Sequence, residues 1–136
     1  HPECYKRCYK ILKLDIRYED QVKRLINEVD KEFNGKIDIL VNCANIYQFG
    51  LLADYNGDDY LNTHEFGTVG YQRVVHYALP YMRHSNDTRV ITFGSLASYF
   101  PFFLGTPSYG SMKKFLQNWN LQNQIDEMFQ KAMGLQ

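Results

Sequence analysis

At 136 residues the chain is long enough for one domain with a real though modest core. Its fifteen basic and fifteen acidic side chains cancel, so nothing global favours nucleic acid or an anionic membrane as a partner. No apolar run reaches the ~20 residues of a membrane helix and no secretory signal opens the sequence, which points to a soluble, cytoplasmic protein.

The chain opens on His1, Cys4 and Cys8, which with Cys43 make an odd set of three cysteines. Cys43 ends a predicted buried strand, so reduced thiols in a reducing compartment are expected. His1, Cys4 and Cys8 lack a fourth ligand and a metal-site spacing, and no metal site is expected. Lys10 to Ile16 is short and rich in Ile and Leu, as a strand buried on both faces should be. Val22, Leu25, Ile26, Val29 and Phe33 recur at helical spacing opposite a charged face, and Asn34-Gly35 supplies the left-handed stop. Ile37 to Asn42 reads as a second strand, and strand, helix and strand in that order imply a right-handed crossover in a parallel sheet. Asp58 or Asn56 can cap a long helix running to about Met82, and His84-Ser-Asn-Asp-Thr88 is a polar loop. A third strand begins at Arg89, and a last helix runs from about Ser108 into Lys131. The order predicts an α/β fold in one domain over residues 1–136.

Tyr109-Gly-Ser-Met-Lys113 opens that last helix. A phenol has an unperturbed pKa of about 10, so it exchanges protons with a substrate at neutral pH only if a nearby cation stabilises the phenolate. On a helix, positions i and i+4 share a face about 5–6 Å apart at Cβ. The Lys113 ammonium is therefore placed to act on the phenol without blocking its oxygen. Ser95, after the third strand, would offer a hydroxyl to a carbonyl oxygen.

Several stretches resemble, in order, the short-chain dehydrogenase/reductase family. Lys10-Ile-Leu-Lys-Leu-Asp15-Ile16 is similar to its third strand with an Asp-hydrophobic pair. Ile37-Asp-Ile-Leu-Val-Asn42-Cys43-Ala44-Asn45 is similar to its fourth strand with an Asn-Asn-Ala-Gly turn. Leu79-Pro80-Tyr81-Met82 looks like the end of its long helix, Arg89-Val-Ile-Thr-Phe-Gly-Ser95-Leu-Ala-Ser98 like its fifth strand with the catalytic serine, and Tyr109 to Lys113 like the start of the next helix. The resemblance implies a partial Rossmann-like, doubly wound parallel sheet with three strands and three main helices retained. It also implies an NAD(P)-dependent oxidoreductase that interconverts a hydroxyl and a carbonyl. Tyr109 would be the general acid or base, Lys113 would lower its pKa and hold the nicotinamide ribose, and Ser95 would orient the substrate carbonyl. Asp15 and Ile16 would border the adenine, and Asn42, Ala44 and Asn45 would line the path of NAD or NADP towards Tyr109 and Lys113. The family's Gly-x-x-x-Gly-x-Gly turn, whose amides hold the pyrophosphate, is absent from the sequence. The expectation is the central slice of a larger enzyme, either a truncated product or part of a longer chain.

Three positions depart from the family pattern. Asn45 stands where glycine is usual, and Cys43 replaces the second asparagine of the turn. In His64-Glu-Phe-Gly67, aligned with Asn-x-x-Gly, His64 takes the place of the asparagine that holds a relay water; histidine too can pass protons, which makes it a fourth catalytic candidate. Tyr99-Phe100-Pro101-Phe102-Phe103, between the serine and the tyrosine, suggests an apolar pocket and a small hydrophobic alcohol or ketone as substrate. The family's subunit interfaces commonly use the two long helices, which implies a homo-oligomer. The same helices support an alternative in which a truncated, catalytically impaired relative acts as an interaction partner. A hydrolase built on Ser95 and His64 lacks the Gly-x-Ser-x-Gly elbow.

Overall fold

The computed structural model describes residues 10–47, 50–82, 87–100 and 107–133. His1, Cys4, Cys8, His84 to Asn86 and Pro101 to Phe103 lie outside the described residues.

The first helix, α1 (Glu19–Phe33), starts with Glu19 and Asp20, acids that suit the positive end of the helix dipole. It ends at Asn34, whose φ of 58° and bond to the Asp30 carbonyl make the left-handed cap expected there. Val22 and Ile26 are buried and Leu25 and Val29 half-buried, whereas Phe33 at the end of the series is 48% exposed. After α1, β1 (Ile39–Asn42) runs parallel to β2 (Arg89–Thr92), with Ile39 beside Arg89 and Asn42 beside Thr92. Between the two strands lie α2 (Gly57–His64), a π-helical turn (Glu65–Val69) and α3 (Gly70–Met82) in unbroken succession. Asn56, not Asp58, caps α2: its Oδ1 accepts from the Asp59 N–H at 2.8 Å, and the Asp59 carboxylate accepts from the Asn56 N–H at 3.2 Å. A 3-10 turn (Leu96–Ser98) follows β2. The last helix, α4 (Pro107–Ala132), begins with a proline at the one place where a missing N–H costs nothing.

The first of the three expected strands is a correction. Lys10 to Ile16 forms no strand, and the sheet described has two strands. A strand exists through its ladder, and this segment is held by side chains instead. Arg73 donates one guanidinium nitrogen to the Ile16 and Arg17 carbonyls at 2.8 and 2.7 Å. Ile16 lies against Gly70, where an added Cβ would sit 2.7 Å from Ile16 Cγ1. Lys10 pairs with Glu28 and Glu32 of α1.

The core follows from these contacts. Ile16, Val22, Tyr71, Val74 and Leu116 form one cluster and Ile26, Ala78 and Met82 a second, with Leu40 packed against both. Burying each of the Val, Leu, Ile and Met side chains among these is worth ~1.5–3 kcal/mol. Ile39, Val41 and Ile91, on the opposite face of the sheet from Leu40, are 58%, 51% and 44% exposed. The expectation of strands buried on both faces is therefore met only at Leu40 and Asn42: Val90, beside Leu40, is 41% exposed, and no described helix packs on the opposite face.

Candidate active site

Because β1 and β2 end side by side, the chain leaves the sheet at two adjacent points, after Asn42 and after Thr92. Both departing segments bond to the first turns of α4. From the first, Asn45 Nδ2 donates to the Tyr109 hydroxyl oxygen at 3.4 Å, and the Tyr47 ring stands edge-on to Tyr109 at 5.1 Å. From the second, the Phe93 carbonyl accepts from Lys113 Nζ at 2.8 Å. The Ala97 carbonyl would lie 2.9 Å from a Cβ on Gly110, so a side chain at that position would push the 3-10 turn away from the helix.

Lys113 is 2% exposed. Its ammonium lies 5.7 Å from the centroid of the Tyr109 ring and 5.9 Å from that of Tyr71. Among the described residues no carboxylate forms an ion pair with it. Burial pushes the lysine below its ordinary value, and negative charge on Tyr109 and Cys43 opposes that shift. The predicted pair thus shares one face of α4, with two ring faces and one carbonyl around the cation. The Tyr71 hydroxyl donates to the Ala44 carbonyl, and burial raises that phenol to about 12, with Cys43 and Tyr109 adding to the effect.

Ser95 begins the 3-10 turn. Its hydroxyl oxygen accepts from the Ala97 N–H at 3.2 Å, which leaves the hydroxyl proton for another acceptor. His64 ends α2, and both its ring nitrogens are engaged: Nδ1 lies 3.2 Å from the Thr68 hydroxyl and Nε2 3.0 Å from that of Ser111. It meets α4 through Ser111, between Tyr109 and Lys113 in sequence. Burial pushes its imidazole below the usual histidine value.

The remaining expected binding residues divide. The Asp15 carboxylate is gripped by Arg17, with Nη2 at 2.6 Å and Nε at 3.1 and 3.2 Å; these hydrogen bonds lower its pKa. Arg17 also reaches Asn62 on α2 at 2.6 Å. Ile16 is a core residue, 5% exposed. Ala44 and Asn45 are exposed beyond β1. Asn42 is 5% exposed, and its amide nitrogen and the Thr92 hydroxyl are buried without a hydrogen-bond partner. Ligands of parallel α/β sheets sit at the carboxyl ends of the strands, and orphaned polar atoms at that edge fit a site for a polar cofactor. Of the expected aromatic pocket, Tyr99 lies under Lys114, 4.9 Å from Nζ to the ring centroid, and accepts from Gln117. Tyr71, Tyr47, the Phe93 carbonyl and Ser111 are contributors that sequence reasoning missed. Nothing in their spacing separates them from ordinary core or helix-surface residues.

Residues 2–128 match the model of the family described as short chain dehydrogenase. The chain belongs to that family. Among its relatives, fogD of Aspergillus ruber, named a short-chain dehydrogenase, is 28% identical over 79% of this chain and 37% of its own length. A short-chain dehydrogenase of Burkholderia cenocepacia, solved in complex with NADP, is 25% identical with a TM-score of 0.76, covering 86% of this chain and 46% of that one. An NADH-dependent reductase solved with NAD has the same fold at 22% identity and a TM-score of 0.78, over 88% of this chain and 51% of that one. The chain spans about half or less of the length of the relatives it matches.

Proposed function

We propose that the chain is the catalytic segment of an NAD(P)-dependent oxidoreductase that interconverts a hydroxyl and a carbonyl on a small hydrophobic substrate. The observation that carries the reading is the Lys113 ammonium, buried without a carboxylate beside the Tyr109 ring. A cation in that setting costs stability, and perturbed charges of this kind cluster where chemistry is done.

When bound, the nicotinamide group supplies or accepts the hydride. Tyr109 gives the substrate oxygen its proton in reduction and removes it in oxidation. Lys113 favours the phenolate by direct attraction, and with one donor on the Phe93 carbonyl its two remaining donors would be free to hold the cofactor's ribose. Ser95, with its proton uncommitted to Ala97, donates to the substrate oxygen and fixes the carbonyl relative to Tyr109. Asn42, Ala44 and Asn45 would hold the cofactor at the strand ends, and Asp15 with Ile16 would border its adenine, Ile16 by anchoring that turn in the core. His64 acts through α4, since both its nitrogens are taken. The cofactors bound by the Burkholderia relative and by the fold neighbour make both NADP and NAD candidates.

Titrating the chain with NADPH and with NADH, followed by cofactor fluorescence, tests the reading. Saturable binding of either supports it. Failure to bind both, together with association with a full-length relative, favours an interaction partner that uses its long helices. Exposed Leu61, Val69, Phe115 and Leu121 on those helices support that second reading, and they equally support a homo-oligomer of the enzyme.

A further inference from the structure

Three hydrogen bonds meet on one hydroxyl in the middle of the Tyr109–Lys113 turn. Ser111 Oγ donates to the Ser108 carbonyl at 2.9 Å, and lies 3.0 Å from His64 Nε2 and 2.9 Å from the Tyr60 hydroxyl. A serine hydroxyl has one proton and two lone pairs. Its proton goes to the carbonyl, which can only accept, so the Tyr60 O–H and the His64 Nε2–H both donate into Ser111. Neutral His64 is therefore the Nε2–H tautomer, and its Nδ1 accepts from Thr68, whose side chain is in a residue 8% exposed. The Tyr60 ring stacks on the imidazole at 4.6 Å and 26°. The groups facing the imidazole are thus the Tyr60 ring from α2 and the hydroxyls of Thr68 from the π turn and Ser111 from α4. Burial holds the imidazole towards its neutral form.

Ser111 stands two residues from both Tyr109 and Lys113. At 3.6 residues per turn, two residues are about 200° of rotation, so Ser111 meets α2 while the pair faces the strand ends. A hydroxyl with all its bonding capacity in use permits one setting of α4 against α2. We infer that Ser111 is a positioning residue: through His64 and Tyr60 it fixes the rotation of α4 and so holds Tyr109 and Lys113 at the strand ends. The inference rests on the oxidoreductase reading for what is positioned, and on the hydrogen-bond network alone for how.

The test compares the full chain with Ser111→Ala, Ser111→Thr and Tyr60→Phe. Ring nitrogen NMR shifts read the His64 tautomer, the backbone amide shifts of Tyr109 and Lys113 read the setting of α4, and kcat and cofactor KM are measured with NADH and NADPH. In Ser111→Ala the Nε2–H preference is lost, both amides move, and kcat falls about tenfold while KM stays within about twofold, as a small misplacement of reacting groups predicts. Ser111→Thr keeps a hydroxyl able to make the same back-bond and matches wild type in all three readouts. Tyr60→Phe, at a ring 42% exposed, shifts the amides the same way by less and guards against a folding failure in Ser111→Ala. Unchanged tautomer and amide shifts in Ser111→Ala, or equal loss in the alanine and threonine variants, overturn the inference. A folded wild type that turns over neither cofactor defeats the oxidoreductase reading, and the tautomer and amide shifts then decide the positioning role by themselves.

Discussion

Lys113 meets two opposed demands. Taking an ammonium out of water costs several kcal/mol even after relaxation, and the chain offsets this with one carbonyl and two aromatic rings instead of a counter-charge. Because burial holds the folded-state pKa below the unfolded value of 10.5, the charged form is penalised at neutral pH. The penalty fades as pH rises through the lowered pKa towards 10.5. Lys113→Met is expected to raise stability at pH 7 by about 1 kcal/mol, measured by urea denaturation, while turnover disappears; no gain at pH 7 would show that the cation is well solvated. Tyr109→Phe removes one hydroxyl and little volume, so an unchanged fold with kcat lowered about 10²–10⁴-fold is expected. Near wild-type turnover in that variant removes Tyr109 from the mechanism. Tyr71 titrates in the other sense. Its phenol, raised to about 12, contributes stability in full below the ordinary value of 10, and that contribution is lost as pH rises from 10 through 12. Tyr71→Phe should flatten this alkaline loss in denaturation curves, leaving the opposing Lys113 trend.

The helices are the elements most legible in the sequence, since their signals are local. The 3.6-residue spacing of Val22, Leu25, Ile26 and Val29, the Asn34 stop and the Asn56 cap each act within a turn or two of chain. Lys10 to Ile16 reads as a strand and forms none, because its hydrophobicity is local but the ladder it would need is not. At the candidate site the spacing of Tyr109 and Lys113 placed both on one helix face, whereas the Phe93 carbonyl, Tyr71, Asn45 and the Ser111 hydroxyl network join residues 20 to 64 positions apart. No sequence period encodes such pairings. Packing between elements is equally specific where the π turn crosses α4. A Cβ on Gly67 would lie 1.7 Å from Met112 Sδ, and Met112 is fully buried. Gly67→Ala is expected to cost ~1–3 kcal/mol by overpacking. Adding Met112→Ala should recover much of that loss in a double-mutant cycle read by thermal denaturation, whereas strictly additive losses would place the strain in the π turn itself.

At the scale of the whole molecule, α1, α3 and the core clusters lie on the Leu40 face of the sheet, and the other face is apolar and open. Ile39, Val41, Ile91 and Phe93 are 58%, 51%, 44% and 50% exposed. Contiguous apolar surface with unpaired strand edges beside it drives association. The long helices add a rival surface through Leu61 and Leu121, 66% and 59% exposed. The chain by itself is therefore expected to self-associate, and sedimentation velocity on two double variants separates the surfaces. Ile39→Thr with Ile91→Thr keeps β-branched residues suited to strands while removing apolar area. If the sheet face drives association, this variant sediments as a monomer with an unchanged far-ultraviolet spectrum, and Leu61→Lys with Leu121→Lys still associates. The reverse result assigns association to the helices, the surface through which a symmetric enzyme would assemble without covering its strand ends.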